Sequence, residues 1–370
     1  MIPDVIVDHP HLGWSVYDLP TPAPLVDLNM LDANIATMAA FFQNRPASLR
    51  PHAKTHRAPA VARLQIAAGA RGITCAKVGM AEAMVDGGID DVYVANQVVG
   101  KDAIARLCAL AQRSRVSVAV DDARNVAMLS DAAQRYGVTL DLLIEINAGM
   151  DRCGVLPGAP TFELATTIVG TPGVRFKGLH VYEGHVVQHS DGAVRKAETE
   201  KMLAIAMETR DLILSAGIPV PTVTCGGTGT YDISGAYPGV TEHQSGSYVY
   251  MDPGYQTKVP VFGLAFSVLC TVISRPTPET VITDGGLQVL ANDSGMPAVK
   301  GFPGLEYAYL SEEHGSFTFV DGSTALPVGE VVEVYPGHCC SAANLHDQVY
   351  GVRQGKVETI WRATARGKSQ

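Results

Sequence analysis

The chain lacks the features that mark nucleic-acid-binding, membrane and disulfide-stabilised proteins. Its 28 Lys and Arg are outnumbered by 37 Asp and Glu, giving a formal net charge of −9, which argues against nucleic acid as the main partner. No apolar run reaches transmembrane length, and the first residues lack the basic and apolar regions of a signal peptide. Seven scattered cysteines, an odd number, favour reduced thiols. We therefore expect a soluble, cytoplasmic protein with a small-molecule partner and no membrane partner.

Between about residues 25 and 250, short β-rich runs alternate with amphipathic helical segments. Near-continuous apolar runs, typical of buried parallel strands, occur at 72–76, 91–95, 116–120, 140–146, 174–181 and 222–225. Two shorter strands are predicted, one leading into Lys54 and one near 241–245. Helical patterns occupy 78–86, 101–112, 123–136 and 196–216. About eight βα units predict a (β/α)₈ TIM barrel, with a doubly wound open sheet as the alternative.

The last third of the chain has a different pattern. Its β-rich runs are separated by Gly, Pro and Asp turns and few helices, and they lie at 265–273, 280–283, 316–320 and 328–334. This pattern is typical of a separate β domain. The sequence therefore predicts a barrel at 22–255 and a β domain at 256–370, which residues 1–21 join.

Lys54 lies between a predicted strand and a predicted helix, with His52, His56 and Arg57 close by in the sequence. Neighbouring cationic groups lower the pKa of a lysine ammonium by like-charge repulsion. A lysine depressed in this way is a nucleophile that forms an imine with an aldehyde. The alternative interpretation is a solvated basic loop.

Three further motifs follow predicted barrel strands. Arg152 follows the strand that ends at residue 146, Tyr182 and His185 follow the strand that ends at 181, and a Gly-rich loop at 226–229 follows residue 225. Small residues let the loop backbone approach a ligand, and its N–H groups form an anion-binding nest. Active-site groups of (β/α)₈ barrels gather at these strand ends, and late loops there bind phosphate.

Each motif has a simpler interpretation when it is taken alone. The Gly-rich loop is then only a turn, Arg152 pairs with a surface carboxylate, and Tyr182 is a core residue. Together the motifs supply an imine-forming lysine, a guanidinium, an aromatic ring and a phosphate nest. Pyridoxal 5′-phosphate requires this combination of groups.

The segment 336–340, Pro-Gly-His-Cys-Cys, lies inside the predicted β domain. In an extended segment, residues two apart point the same way, so His338 and Cys340 can bind one metal while Cys339 faces elsewhere. Imidazole with thiolate suits Zn²⁺. The alternative is ordinary packing, because buried cysteines are common core residues.

In order along nearly the whole chain, these motifs resemble those of the D-threonine aldolase and D-serine dehydratase family. The resembling segments are 51–56 (Pro-His-Ala-Lys-Thr-His), 152–154 (Arg-Cys-Gly), 226–229 (Gly-Gly-Thr-Gly), 246–248 (Gly-Ser-Tyr), 336–340 and 344–347 (Asn-Leu-His-Asp). The resemblance implies a fold-type III pyridoxal phosphate enzyme with an alanine racemase-like barrel and a β domain. It also implies a homodimer, because the family's active site usually forms between subunits.

The resemblance also implies roles for individual residues. Lys54 would be the Schiff-base lysine, and Arg152 and Tyr182 would lie by the cofactor ring. The residues that would contact its phosphate are Gly227, Thr228, Gly229, Ser247 and Tyr248. His338 and Cys340 would hold a divalent cation (Zn²⁺, Mn²⁺ or Mg²⁺) that grips the substrate's β-hydroxyl.

One residue of the metal motif departs from the aldolase pattern. The aldolase branch usually has aspartate where this chain has Cys340, and cysteine there is typical of the dehydratase branch. Segments at 241–252 and 365–367 nevertheless resemble aldolases. The resemblance implies retro-aldol cleavage of a D-3-hydroxy amino acid, with His52, His185 or a metal-bound hydroxide as the base. The alternative is a Zn²⁺ and pyridoxal phosphate-dependent dehydratase of D-serine or 3-hydroxyaspartate, ahead of a racemase or a non-catalytic cofactor carrier.

Overall fold

The computed structural model describes residues 4–322 and 326–370, which form two compact units. The barrel unit comprises Met38–Lys54, Val61–Gly246 and Lys368–Gln370. The β unit comprises the described residues up to Thr37, then Thr55–Ala60 and Ser247–Gly367. The two units interleave along the chain more than the sequence predicts, because the prediction gives the barrel one unbroken range, 22–255, between two parts of the β domain.

The first described strand, β1 (Ala23–Asp27), belongs to the β unit and is followed by α1 (Leu28–Phe42). Parallel strands then form the sheet of the barrel unit: β2 (Ser48–Leu49), β3 (Ile73–Cys75), β4 (Asp91–Gln97), β5 (Arg115–Val120), β6 (Leu140–Ile146), β7 (Val174–Val181), β8 (Thr222–Cys225) and β9 (Glu242–His243). Their order is β2-β9-β8-β7-β6-β5-β4-β3. The (β/α)₈ prediction is confirmed.

Backbone hydrogen bonds join the two ends of this sheet. Beyond β2, the Ala53 N–H donates to the Thr74 carbonyl of β3 at 2.8 Å, and the Thr74 N–H donates to the Pro51 carbonyl at 2.9 Å. An open doubly wound sheet would leave these groups at two separate edges. The ring of parallel pairings is therefore complete, and the alternative to the barrel is wrong.

Helices follow most of the barrel strands: α2 (Pro59–Ala67), α3 (Val78–Asp86), α4 (Lys101–Ala111), α5 (Ala123–Tyr136), α6 (Ala159–Val169), α7 (Gly192–Ser215) and α8 (Tyr231–Ser234). The caps of α5 explain its bounds. The Asp122 carboxylate accepts the Arg124 N–H, and Gly137 ends the helix at φ 66°, a left-handed conformation that glycine adopts without strain. Charged residues are spread along the long α7, and no helix of the described residues combines the length and apolarity of a membrane span.

The β unit is built on a mainly antiparallel sheet. The further strands are β10 (Phe266–Ser274), β11 (Thr280–Thr283), β12 (Ala298–Val299), β13 (Leu305–Leu310), β14 (Gly315–Phe319), β15 (Val331–Tyr335), β16 (Gln348–Arg353) and β17 (Lys356–Arg362), with two short helices, α9 (Pro253–Gln256) and α10 (Cys339–Ala343). Strand β1 pairs antiparallel with β10 and parallel with β16. All four β-rich runs predicted in the last third of the chain form strands.

Candidate active site

The barrel register brings the predicted loops to one edge of the sheet. Ile146 of β6 pairs with Val181 of β7, which pairs with Cys225 of β8. Cys225 pairs with His243 of β9, and His243 pairs with Leu49 of β2. The loops that follow these residues therefore leave the sheet at the same level. They carry all the barrel residues for which the sequence predicts a site role.

Lys54 lies in the turn between β2 and α2. Its N–H donates to Nδ1 of His52 at 3.3 Å, which fixes the turn locally. His56 and Arg57 belong to the β unit, where Nδ1 of His56 accepts the Ala58 N–H at 3.1 Å and the Arg57 guanidinium donates to a backbone carbonyl. The strand-to-helix position of Lys54 is confirmed, and like-charge activation of its amine stays a prediction.

Arg152 and Tyr182 contact each other. The Arg152 guanidinium lies 5.3 Å from the centre of the Tyr182 ring, within the range of a cation–π contact. A nitrogen of the same guanidinium is 3.8 Å from the Glu145 carboxylate, which also accepts a 2.6 Å hydrogen bond from Gln97. Glu145 is buried and Tyr182 half-buried. The carboxylate beside Arg152 is therefore not a surface group, and Tyr182 is not a core residue.

The Gly-rich loop at 226–229 is packed too closely for larger residues. Gly226 has φ 97°, and a Cβ added there would lie 1.9 Å from Nε2 of His243. A Cβ on Gly227 would lie 2.6 Å from Val187 and 3.7 Å from the Tyr182 ring. The loop backbone therefore lies against Tyr182 with no side chain between them. This geometry fits a loop that presents its backbone to an anionic ligand.

A buried carboxylate that the sequence analysis missed holds this loop. Glu183 is fully buried; Oε1 accepts the Thr230 hydroxyl at 2.7 Å and Oε2 accepts the Gly226 N–H at 3.1 Å. Burial raises the pKa of Glu183 above its ordinary value, against hydrogen bonds that oppose the shift. Its place between Tyr182 and His185 is the only signal in the sequence that could have indicated it.

The other side of the loop rests on His243. Its Nε2 hydrogen-bonds Ser234 at 3.0 Å and its Nδ1 hydrogen-bonds Ser245 at 3.1 Å. Burial lowers the pKa of His243 to about 3, so the ring is neutral at physiological pH. A neutral imidazole with both nitrogens engaged is a rigid support for Gly226.

Inside the barrel, some buried polar groups make no hydrogen bond to the described part of the protein. Among the described residues, Nδ1 of His180 and the Tyr93 hydroxyl are buried and have no protein hydrogen-bond partner. Their rings lie 5.7 Å apart, edge to face. Buried polar atoms are seldom left unpaired, so water or a bound polar group is needed there. The barrel residues thus fit a polar cofactor with an anionic end.

His185 lies exposed in the loop after β7. A Cβ added to Gly149, in the loop after β6, would lie 3.6 Å from Nε2 of His185. The His185 imidazole therefore lies beside the neighbouring loop and is exposed to solvent. A solvent-accessible ring of this kind suits proton transfer.

Ser247 and Tyr248 form part of a 3₁₀ turn in the β unit. The Ser247 hydroxyl lies 3.6 Å from the Cys340 sulfur, and the Thr55 hydroxyl lies 3.2 Å from the same sulfur. Tyr248 is fully buried, with its ring 5.6 Å from that of Phe262. The phosphate contacts that the resemblance implies for Ser247 and Tyr248 stay predictions.

His338 and Cys340 do come together, but not in the predicted way. The sequence predicts an extended segment, whereas Cys339 begins α10 and His338 is the N-cap residue of that helix. The helix begins here because Pro336 and Gly337 follow the end of β15, and Asp252 accepts the Cys339 N–H at 3.4 Å. Burial opposes charge on His338, yet hydrogen bonds with Cys340 and Asp293 raise its pKa to about 9.

The donor set of this turn fits an open metal site. Imidazole and thiol groups are ligands for Zn²⁺ and related cations. In residues 4–322 and 326–370, no cluster of three or more His, Cys, Asp or Glu side chains is arranged to hold a metal. A closed structural zinc site needs four protein ligands. Two ligands leave positions for substrate and water instead.

Comparison with known proteins identifies both parts of the chain. The alanine racemase N-terminal domain matches residues 26–253, and the putative serine dehydratase domain matches residues 265–352. A D-threonine aldolase of Arthrobacter sp. is 40% identical over 95% of this chain and 93% of its own length. A 3-hydroxy-D-aspartate aldolase of Paracoccus denitrificans is 37% identical over 96% and 94%.

Solved structures give the same grouping. The crystal structure of D-threonine aldolase from Filomicrobium marinum superposes with a TM-score of 0.94 at 39% identity, covering 96% of this chain and 98% of the other. D-threo-3-hydroxyaspartate dehydratase from Delftia sp. HT23 superposes with a TM-score of 0.82 at 26% identity, covering 94% and 98%. This chain is therefore more similar to the three aldolases than to the dehydratase.

Proposed function

This chain belongs to the D-threonine aldolase family of alanine racemase-like lyases, and from that premise we propose that it cleaves D-configured 3-hydroxy amino acids to glycine and an aldehyde. The family's cofactor is pyridoxal 5′-phosphate. In this proposal the Cα–Cβ bond breaks after the β-hydroxyl loses its proton. The bonding electrons stay with Cα, which takes up a proton to give glycine, while Cβ leaves as the aldehyde carbon.

The observation that carries the proposal is the shared edge of the barrel strands. The pairings of β6 with β7, β7 with β8, β8 with β9 and β9 with β2 bring the turn of Lys54 to the level of Tyr182 and the Gly-rich loop. A lysine, an aromatic ring and an anion-binding loop are the groups that hold this cofactor. Identity of 40% with a D-threonine aldolase supports the reaction type.

Each of these groups has a part in the proposal. Pyridoxal phosphate, when bound, supplies an aldehyde for an amine and a ring that accepts electrons from Cα. The Lys54 amine would hold the aldehyde. Arg152 and Tyr182, which contact each other, would flank the ring. The N–H groups of Gly227, Thr228 and Gly229 would receive the phosphate.

The two candidate histidines suit different proton transfers. Nδ1 of His52 accepts the Lys54 N–H, so the proton of its neutral ring lies on Nε2, which is then a donor. His185 is exposed, and its neutral ring has one nitrogen free to accept. We therefore assign removal of the β-hydroxyl proton to His185. His52 is assigned to proton donation.

His338 and Cys340 are assigned to a divalent cation. A bound cation lowers the pKa of a coordinated hydroxyl, as it does for bound water. The two side chains would hold the cation, which would lower the pKa of the substrate's β-hydroxyl. Metal binding would displace the protons of the imidazole and the thiol, and an imidazole with a thiolate favours Zn²⁺ over Mg²⁺ as the occupant.

The test is a product analysis. Purified protein with added pyridoxal phosphate and Zn²⁺ or Mn²⁺ is incubated with D-threonine, D-3-hydroxyaspartate and D-serine, and glycine, aldehydes and 2-oxo acids are quantified. Equal amounts of glycine and aldehyde support the proposal. A 2-oxo acid with ammonia and no glycine contradicts it.

A dehydratase is the second candidate, and Cys340 favours it. The aldolase pattern has aspartate at this position, and a softer thiolate favours Zn²⁺. In that reaction Lys54 would remove the Cα proton, the β-hydroxyl would leave as water, and addition of another water would release the 2-oxo acid and ammonia. The same product analysis distinguishes the two reactions, because only the aldolase releases glycine.

The assembly and location of the protein complete the proposal. We assign it to a homodimer, the state implied by its family, which light scattering of the purified protein tests directly. All seven cysteines are free, which supports a cytoplasmic location because reduced thiols are typical of that compartment. Fluorescent tagging in the source cell would test the location.

A further inference from the structure

The loop 291–295 of the β unit approaches the turn at 336–338 with almost no space between the two backbones. A Cβ added to Gly337 would lie 2.0 Å from the Gly295 carbonyl oxygen. A Cβ added to Gly295 would lie 2.8 Å from the Gly337 carbonyl oxygen. Glycine on both sides is therefore what permits this approach. The residue that the approach brings to His338 is Asp293.

Asp293 holds one nitrogen of the His338 ring. Its Oδ2 accepts a hydrogen bond from Nδ1 of His338 at 2.8 Å and a second from the Ser341 hydroxyl at 2.9 Å. The Ser341 hydroxyl also lies 3.1 Å from Nδ1 of His338. Two side chains, Asp293 and Ser341, thus contact the same ring nitrogen from two different segments. None of these contacts involves Nε2.

These contacts select the tautomer of His338. A carboxylate accepts hydrogen bonds and donates none, so the proton of the neutral ring lies on Nδ1. The lone pair then lies on Nε2, the nitrogen that the contacts with Asp293 and Ser341 leave for a metal. A carboxylate behind a histidine ligand orients the ring, fixes its tautomer and makes it more basic towards the metal.

We propose that Asp293 is a positioning residue that holds His338 with Nε2 directed towards a divalent cation shared with Cys340. This inference rests on the proposed cation site and adds a residue that neither the sequence motifs nor the resemblance assigns. Ser341 assists by filling the remaining space beside Nδ1. Asp293 itself is not counted as a ligand of the cation, because among the described residues no three His, Cys, Asp or Glu side chains are placed to hold one metal.

The test measures cobalt binding to the full-length protein. Metal is removed with a chelator, and Co²⁺ is titrated while the visible absorption and the sulfur-to-cobalt charge-transfer band are followed. Asp293→Ala is expected to weaken binding by about 10–100-fold, the usual cost of losing an outer carboxylate. At saturating Co²⁺ the charge-transfer band should keep its wild-type intensity, because Cys340 is still present.

Two variants separate positioning from general effects. Asp293→Asn keeps an oxygen that accepts from Nδ1, so its affinity should fall between those of Asp293→Ala and the wild type. Asp347→Asn is the matched control: it removes an exposed carboxylate of the same unit that pairs with Arg366, and it should bind Co²⁺ as the wild type does. Asp293 is more than half exposed, so all three proteins should melt at the wild-type temperature.

The cobalt titration tests the cation site and the role of Asp293 separately. If His338→Ala and Cys340→Ala bind Co²⁺ as tightly as the wild type, the cation site is wrong and the inference falls with it. If those two variants lose Co²⁺ while Asp293→Ala binds as the wild type does, the cation site stands and the role of Asp293 is overturned. Equal loss in Asp293→Ala and Asp347→Asn would also overturn it, because the effect would then be long-range charge.

Discussion

The barrel unit and the β unit assemble their candidate functional groups in different ways. In the barrel, Lys54, Arg152, Tyr182 and the Gly-rich loop are far apart in sequence, and parallel strand register brings them to one edge. In the β unit, His338 and Cys340 are two residues apart and meet at the start of a five-residue helix. Register is a property of the whole sheet, whereas the helix turn depends on a few local contacts.

The difference predicts how each site responds to substitution. The candidate site residues of the barrel follow strands that are paired on both sides. Substitution of one of them should therefore change the chemistry of the site without moving the other residues. The turn of the β unit depends on Asp252, which accepts the Cys339 N–H, and on the approach of Gly295 to Gly337. Substitutions in this turn should therefore alter the positions of His338 and Cys340 before they affect anything else.

The largest effect is expected in the barrel, at Lys54. Lys54→Ala removes the amine that binds the cofactor aldehyde, and we expect loss of measurable turnover and of the absorbance that borohydride bleaches. Lys201→Ala, at an exposed lysine of α7, should keep both. Borohydride reduction followed by mass spectrometry of the labelled peptide checks the result. Labelling at another lysine would contradict the assignment.

The next largest effect is expected at Cys340. Cys340→Ala should weaken Zn²⁺ binding by more than the roughly 10–100-fold that loss of an outer partner costs, because a direct ligand is removed. Cys340→Asp should bind Mn²⁺ better relative to Zn²⁺, since a carboxylate is the harder ligand. Metal titration of both, with Cys108→Ala as a cysteine control in α4, gives the comparison. An unchanged metal preference in Cys340→Asp would contradict the role of sulfur.

A smaller effect is expected at Gly226, which supports the loop through packing. Gly226→Ala places a methyl group against His243, and overpacking of this kind costs about 1–3 kcal/mol. Gly217→Ala is the matched control, because Gly217 also has a positive φ, 78°, but has open space around it. Urea unfolding of both variants separates the clash from backbone strain. Equal losses of stability in the two variants would show that the contact between Gly226 and His243 adds no clash to the backbone strain.

The most gradual effect, spread over several pH units, is expected from titration of His243. Its pKa is about 3 in the folded protein and about 6.5 in the unfolded chain, so the unfolded chain binds the extra proton more readily. Stability is therefore fully present above pH 6.5 and falls as the pH drops towards 3, by at most about 1.4 kcal/mol per pH unit. Melting temperatures of the wild type and His243→Gln should converge at low pH. A difference in melting temperature that stays constant as the pH falls would contradict the predicted loss of stability at low pH.

The barrel was predictable because its sequence signals are local and repeated. Leu140–Ile146 and Val174–Val181 are apolar runs whose bounds match the observed strands, and Ala123–Tyr136 forms a helix with the predicted bounds. Parallel strands of a barrel must present their carboxyl ends at one edge. Placing Lys54, Tyr182 and Arg152 at that edge therefore needed no knowledge of individual contacts.

Two features were not predictable for physical reasons. Glu183 contacts Thr230 and Gly226, 47 and 43 residues away, and nothing local indicates a buried carboxylate with distant partners. The Pro-Gly-His-Cys-Cys segment is too short for its periodicity to distinguish strand from helix. Its helical start depends on Asp252, which lies 87 residues earlier. The sequence indicates which segments form helices and strands, but it does not indicate which distant groups a side chain contacts.

Strand β1 has a consequence for how the protein is made. It leaves the ribosome early, yet its partners are β10 and β16, which begin at Phe266 and Gln348. Throughout synthesis of the intervening chain, both edges of β1 lack their final neighbours. Its apolar residues must therefore be shielded until these strands are made, so a chaperone should bind nascent chains that stop before residue 266. The unit that carries His338 and Cys340 cannot be completed until β16 has been synthesised.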